Sequence, residues 1–62
     1  MNLDELKPLI RRGKQGMIPN WIGYIVWDYV SDQLCFVNND YKLFEKDLKD
    51  KLGDRNDLYY II

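Results

Sequence analysis

Histidine, threonine and alanine are absent from these 62 residues, and serine and cysteine occur once each, as Ser31 and Cys35. Each gap removes a class of chemistry. Without an imidazole base the usual serine or cysteine nucleophile cannot be activated, so no catalytic residue is expected and the chain does not read as an enzyme. The same gaps exclude zinc and haem sites built from His and Cys, and no other cofactor is expected. A lone thiol cannot close an intrachain disulfide, which points to the reducing cytoplasm rather than to a secreted, disulfide-stapled scaffold. Asp28, Asp32 and Asp40 do not have the spacing of a calcium loop, so they read as solvated turn carboxylates and no metal site is expected. The longest apolar run, residues 21–27, is too short to span a bilayer. Asp4, Glu5 and Lys7 sit where a signal peptide would need an apolar stretch, and no membrane association is expected.

Strong charge of either sign is also missing. Nine basic and ten acidic residues leave a net charge of −1, which argues against affinity won mainly by neutralising phosphates, and equally against wholesale imitation of a nucleic acid. The local balance is less even. Residues 1–16 carry Lys7, Arg11, Arg12 and Lys14 against Asp4 and Glu5, whereas residues 17–40 carry three aspartates and no cation. Arg11, Arg12 and Lys14, interleaved with Gly13, are a candidate anion or nucleic-acid contact, with Trp21 or Tyr24 offering a stacking surface. The upstream glycine of a phosphate-binding loop is absent and no strand precedes the segment, so the plainer reading is a helix end dressed with cations.

What is present is apolar and aromatic material: 47% hydrophobic and 15% aromatic residues predict one small folded domain spanning residues 1–62. Burial and ordering each come to about 90 kcal/mol at this size, so a self-paired dimer is weighed from the outset. Leu3, Leu6, Leu9 and Ile10 share one helical face behind Asn2 and Glu5 at capping-box spacing, predicting a helix over residues 3–12 that Pro8 should kink or shorten and Gly13 should end. A loop follows over 13–20. The period then changes to two, and residues 22–28 and 33–38 read as a hairpin whose turn is held by Asp28, Ser31 and Asp32.

A symmetric register sets Trp27 opposite Leu34 and Ile25 opposite Phe36 on one face, with Tyr24, Val26, Cys35 and Val37 on the other. Both faces are apolar, so one can meet the helices and the second needs a cover of its own. Asp40 is the expected N-cap of a second helix over 41–52, ended by Gly53; the competing reading turns at Asn38 and Asn39 and makes 41–44 a third strand before a shorter helix. Residues 58–62 read as a last strand. The expected fold is α+β, helix, hairpin, helix, strand, with both helices on one face of a three-stranded sheet.

Nine large rings are more than so small a core readily encloses, and tyrosine and tryptophan dominate binding hot spots. The expected function is a non-catalytic protein-binding module acting by steric occlusion, with Trp21, Tyr24 and Tyr29 as anchors and Arg11, Arg12 and Lys14 at the rim. The same rings also fill small cores, and Cys35 reads as a half-buried strand residue rather than a reactive thiol. Two other readings stand beside this one: a nucleic-acid-binding accessory protein using the basic patch, and a structural homo-oligomer joined through the unpaired edge of residues 58–62.

In residues 1–16, in the Pro19, Asn20, Trp21 run and in the closing Asp57, Leu58, Tyr59, Tyr60, Ile61, Ile62, the chain resembles the very short early proteins of phages and prophages of Gram-positive bacteria. The likeness is one of size, lysine-rich helices and an aromatic hairpin. It implies stoichiometric inhibition or redirection of a host enzyme, anti-CRISPR inhibitors included, and carries over no individual residue.

Overall fold

The first helix, α1 (Leu3–Arg11), starts where the capping box predicts. Asn2 Oδ1 accepts from the Glu5 N–H at 2.8 Å, and Glu5 Oε1 accepts from the Asn2 N–H at 3.1 Å, so two of the donors that a helix start leaves unpaired are satisfied. Pro8 does not shorten it. The ring lies on the exposed side, where the carbonyl it leaves without a partner can turn to water, and the helix runs on to Arg11. Gly13 then takes φ +103° while its N–H bonds the Ile10 carbonyl at 3.0 Å, closing the helix as expected.

The computed structural model describes residues 1–53 and 59–62. Five strands follow or flank the helices: β1 (Gly16–Met17), β2 (Tyr24–Asp28), β3 (Gln33–Val37), β4 (Lys42–Phe44) and β5 (Tyr60–Ile61), with a second helix, α2 (Glu45–Leu52), between the last two. They form one sheet in the order β4-β3-β2-β1-β5, every neighbouring pair antiparallel. The fold is therefore α+β, but with five strands where three were expected. The β2–β3 register is the predicted one, with Trp27 opposite Leu34 and Ile25 opposite Phe36. Asp28 holds the turn by accepting from the Val30 N–H at 3.1 Å and the Ser31 hydroxyl at 2.7 Å, while Asp32, at φ 55°, accepts from the Trp27 indole at 3.2 Å.

Two expectations need correction. The helix expected over 41–52 begins four residues late, because Asn38 rather than Asp40 organises the chain there. Its Oδ1 accepts from the N–H groups of Asp40 and Tyr41 at 2.7 and 2.9 Å, and its own N–H bonds the Tyr41 carbonyl, so the chain reverses into β4. The competing reading describes this stretch, with the strand at Lys42–Phe44 rather than over 41–44. α2 starts behind Phe44 with no side-chain cap, helped by Glu45 and Asp47 in its first turn, and it ends at Gly53 as predicted.

The second correction concerns the loop over 13–20, which contains β1. That strand is paired on one side with β2, Gly16 facing Ile25, and on the other with β5, where Gly16 faces Ile61 and Met17 faces Tyr60. The final strand is thus present at Tyr60–Ile61, and Leu58 lies outside the described residues. Met1 exchanges main-chain hydrogen bonds of 2.7 and 3.0 Å with Tyr59, so at Tyr59 the outer side of this segment is paired as well.

One apolar cluster unites Leu3, Leu6 and Ile10 of α1, Leu48 of α2, and Ile25, Leu34 and Phe36 of the sheet, with Ile18 and Tyr59 closing its ends. Both helices therefore cover the same sheet face. Gly16 lets α1 come close, since a Cβ there would already stand 3.3 to 3.4 Å from the Leu6, Ile10 and Ile25 side chains. Lys7 and Glu45 tie the two helices together across 3.0 Å. Among the described residues no helix is long and apolar enough to cross a membrane.

Candidate binding surfaces

The strand alternation that sends Ile25, Trp27, Leu34, Phe36 and Leu43 into the core sends Tyr24, Val26, Cys35, Val37 and Phe44 to the opposite face, joined by Met17 and Tyr60 from the outer strands. Among the described residues no element lies over that face. Tyr24 is 49% exposed and Tyr60 44%, while Met17, Val26, Val37 and Phe44 are half-buried by one another. Polar groups enter from both ends: Asp28 and Gln33 stand at the hairpin end, and Lys42, opposite Val37 at the other end, reaches across Phe44. Lys42 reaches Asp28 at 3.6 Å and lies 5.7 Å above the Phe44 ring, so its cation is shared between a carboxylate and a π-face.

Asp28 has its carboxyl held below the ordinary value, chiefly by the Ser31 hydroxyl, with the Val30 N–H and Lys42 assisting and burial opposing. Cys35, at the centre of the face, is 1% exposed because Val26 and Phe44 stand on either side of it; burial pushes its thiol up, away from the reactive thiolate. Among the described residues no group of three or more carboxylates and thiols is placed to hold a metal ion.

The three expected anchors do not share a surface. Tyr24 belongs to the open face. Tyr29 lies beyond the far end of β2 in the hairpin turn, where it is 72% exposed beside Val30 at 98%, so the turn presents an apolar tip on a scaffold fixed by Asp28 and Asp32. Trp21 goes to the helix side instead, packed edge-to-face on Phe36 with ring centroids 5.2 Å apart. Its ring is half core and half rim.

The basic patch is also divided. Arg11 carries its guanidinium over the Trp27 ring at 5.6 Å, which leaves Arg12 and Lys14 as the exposed cations of the patch. Sequence reasoning missed Met17, Phe44 and Tyr60 as parts of the open face. Phe44 was within reach, since Leu43 and Phe44 alternate once 42–44 is read as a strand; Met17 and Tyr60 gave no such signal, because their strands are two residues long. No family model, curated protein or solved structure matches the chain.

Proposed function

We propose that the protein is a non-catalytic protein-binding module that grips its partner with the sheet face over which no described element lies, flanked by the Tyr29–Val30 tip. The observation that carries this reading is the asymmetry of the sheet: both helices lie on one side, and the other side is apolar from Met17 through Tyr24, Val26 and Val37 to Phe44. Contiguous exposed apolar patches mark interaction sites. Tyr24 and Tyr60 bring large contact area at low entropic cost, and each phenol supplies a polar tip for the partner. Hydrogen bonding along five strands makes the face rigid, so it can lie across another protein's working surface and block it. That is how a stoichiometric inhibitor of a host enzyme works, the anti-CRISPR type among them.

Photo-crosslinking residues placed singly at Tyr24, Tyr29 and the exposed helix residue Lys46 test the reading in host lysate. Crosslinks to one common protein from the first two sites, resistant to 200 mM salt and lacking at Lys46, are expected. A partner reached only from Lys46 would overturn it. So would a Val26→Lys variant that converts a dimer into a monomer yet leaves capture of that partner intact, because the face would then be a contact between copies.

A further inference from the structure

A cleft of about 450 Å³ opens at the end of the sheet away from the hairpin tip, between residues 20–22 and residues 38–41. We propose that it binds a neutral sugar ring, as part of a short glycan. The proposal is independent of the sheet face, which the cleft does not use.

Its walls are fixed. Gly23, at φ +137°, brings residues 20–22 against the end of β3 so closely that a Cβ would stand 2.4 Å from the Val37 carbonyl oxygen. Asn20 is itself held at φ 70°, and Asn38 ties one wall to the other by donating from Nδ2 to the Ile22 carbonyl at 3.4 Å while its Oδ1 accepts from Asp40 and Tyr41. Trp21 and Tyr41 flank the buried Phe36, at centroid distances of 5.2 and 6.2 Å, and this packing sets both rings where they line the cleft. Such a site is preorganised, so a ligand need not order it.

The chemistry of the lining selects the ligand. Among the described residues no hydrogen bond engages the Trp21 indole N–H, the Tyr41 hydroxyl or the side chains of Asn20, Asn39 and Asp40. These groups are mixed: the indole and the amide nitrogens donate, the amide oxygens and the Asp40 carboxylate accept, and the phenol does both. Among the described residues Asp40 is the charged side chain that lines this cleft, and it is negative, which disfavours a phosphate there; the nearby cation, Lys51, lines the neighbouring depression. A cation would satisfy the acceptors but waste the donors.

Vicinal hydroxyls, each able to donate and accept, use the whole set, and the C–H face of a pyranose ring supplies the apolar surface that Trp21 and Tyr41 await. A second depression, about 490 Å³, runs past the same two rings to Leu43 and Lys51. It gives the next ring of a chain somewhere to lie.

The test is a titration of the full chain with neutral oligosaccharides of glucose, galactose, mannose and N-acetylglucosamine, followed through the two indole N–H resonances. At about 10 mM sugar, the Trp21 signal is expected to move with at least one of them while the Trp27 signal stays put. Tyr41→Ala, at a half-exposed position, should weaken binding about tenfold while the chain stays folded, its midpoint lowered only by the packing lost on Phe36. Silence from every sugar would overturn the proposal. Movement of Trp21 by adenosine or tetramethylammonium alone would do the same, and so would sugar binding that shifts Tyr24 and leaves Trp21 unmoved.

Discussion

Replacing Gly23 by alanine tests the joint between the sheet and the cleft wall. Two costs add at this position. The first is conformational: φ +137° is a region that side chains rarely enter, at about 1 to 3 kcal/mol. The second is steric, because the new Cβ would meet the Val37 carbonyl oxygen at 2.4 Å, Phe36 Cζ at 2.7 Å and Asn38 Cβ at 3.0 Å, and the nearest of these is main chain inside a paired strand. Relieving it means moving β3 or expelling residues 20–22, at about 2 kcal/mol or more, the upper part of the usual cost of overpacking.

Gly13→Ala isolates the first cost, since Gly13 also has a positive φ, +103°, but nothing within 4 Å of a new Cβ. A 62-residue domain holds about 3 to 9 kcal/mol in all. At about 8 °C per kcal/mol for a domain this small, Gly13→Ala should lower the midpoint by roughly 8 to 24 °C, whereas Gly23→Ala should lose at least about 2 kcal/mol more, a further drop of about 16 °C, or fail to fold. Urea unfolding read by tryptophan fluorescence separates them. Equal losses in the two variants would refute the close approach of residues 20–23 to β3, and the fixed cleft wall with it.

Acid unfolding should report on Asp28. Its carboxyl titrates below the ordinary value in the folded chain, so the stabilisation is present above the unfolded pKa and is lost as pH falls through the folded one; Asp28→Asn should flatten that acid limb, and an unchanged limb would count against the Ser31 contact. Cys35, buried and with its thiol pushed up, should react with a thiol reagent at pH 8 far more slowly in the native protein than in denaturant, and equal rates would mean the centre of the open face is not closed over it. Lys7→Met breaks the bridge between the helices, but Lys7 is 42% exposed. The loss should stay below about 1 kcal/mol and shrink in high salt; a larger, salt-independent loss would assign Lys7 a packing role instead.

Local chemistry made part of this fold legible. Asn2 and Glu5 mark the start of α1 and Gly13 its end because capping groups act within one turn of chain, and the hairpin register follows from alternation with Asp28, Ser31 and Asp32 between the strands. That register already put an apolar set on both faces, with Tyr24, Val26, Cys35 and Val37 together. The start of α2 was balanced between two local signals, Asp40 as a cap and Asn38 as a turn. Helical periodicity in Tyr41, Phe44 and Leu48 favoured the wrong one, whereas in the fold Leu43 pairs with Phe36 across the sheet and packs on the core, a long-range contact that local propensity does not register.

Residue order alone therefore settled the α+β class, the first helix, the central hairpin and the excess of rings. Packing decided the rest. β1 and β5 are two residues each and carry no period; they are strands because their main-chain groups meet one another, across more than forty positions of sequence. Only that assembly could choose which sheet face the helices cover, turn Trp21 to one side and Tyr24 to the other, and gather residues 20–22 and 38–41 into one cleft. Hydrogen bonds and apolar contacts between distant segments have no local signature, because each partner is satisfied by what the other supplies.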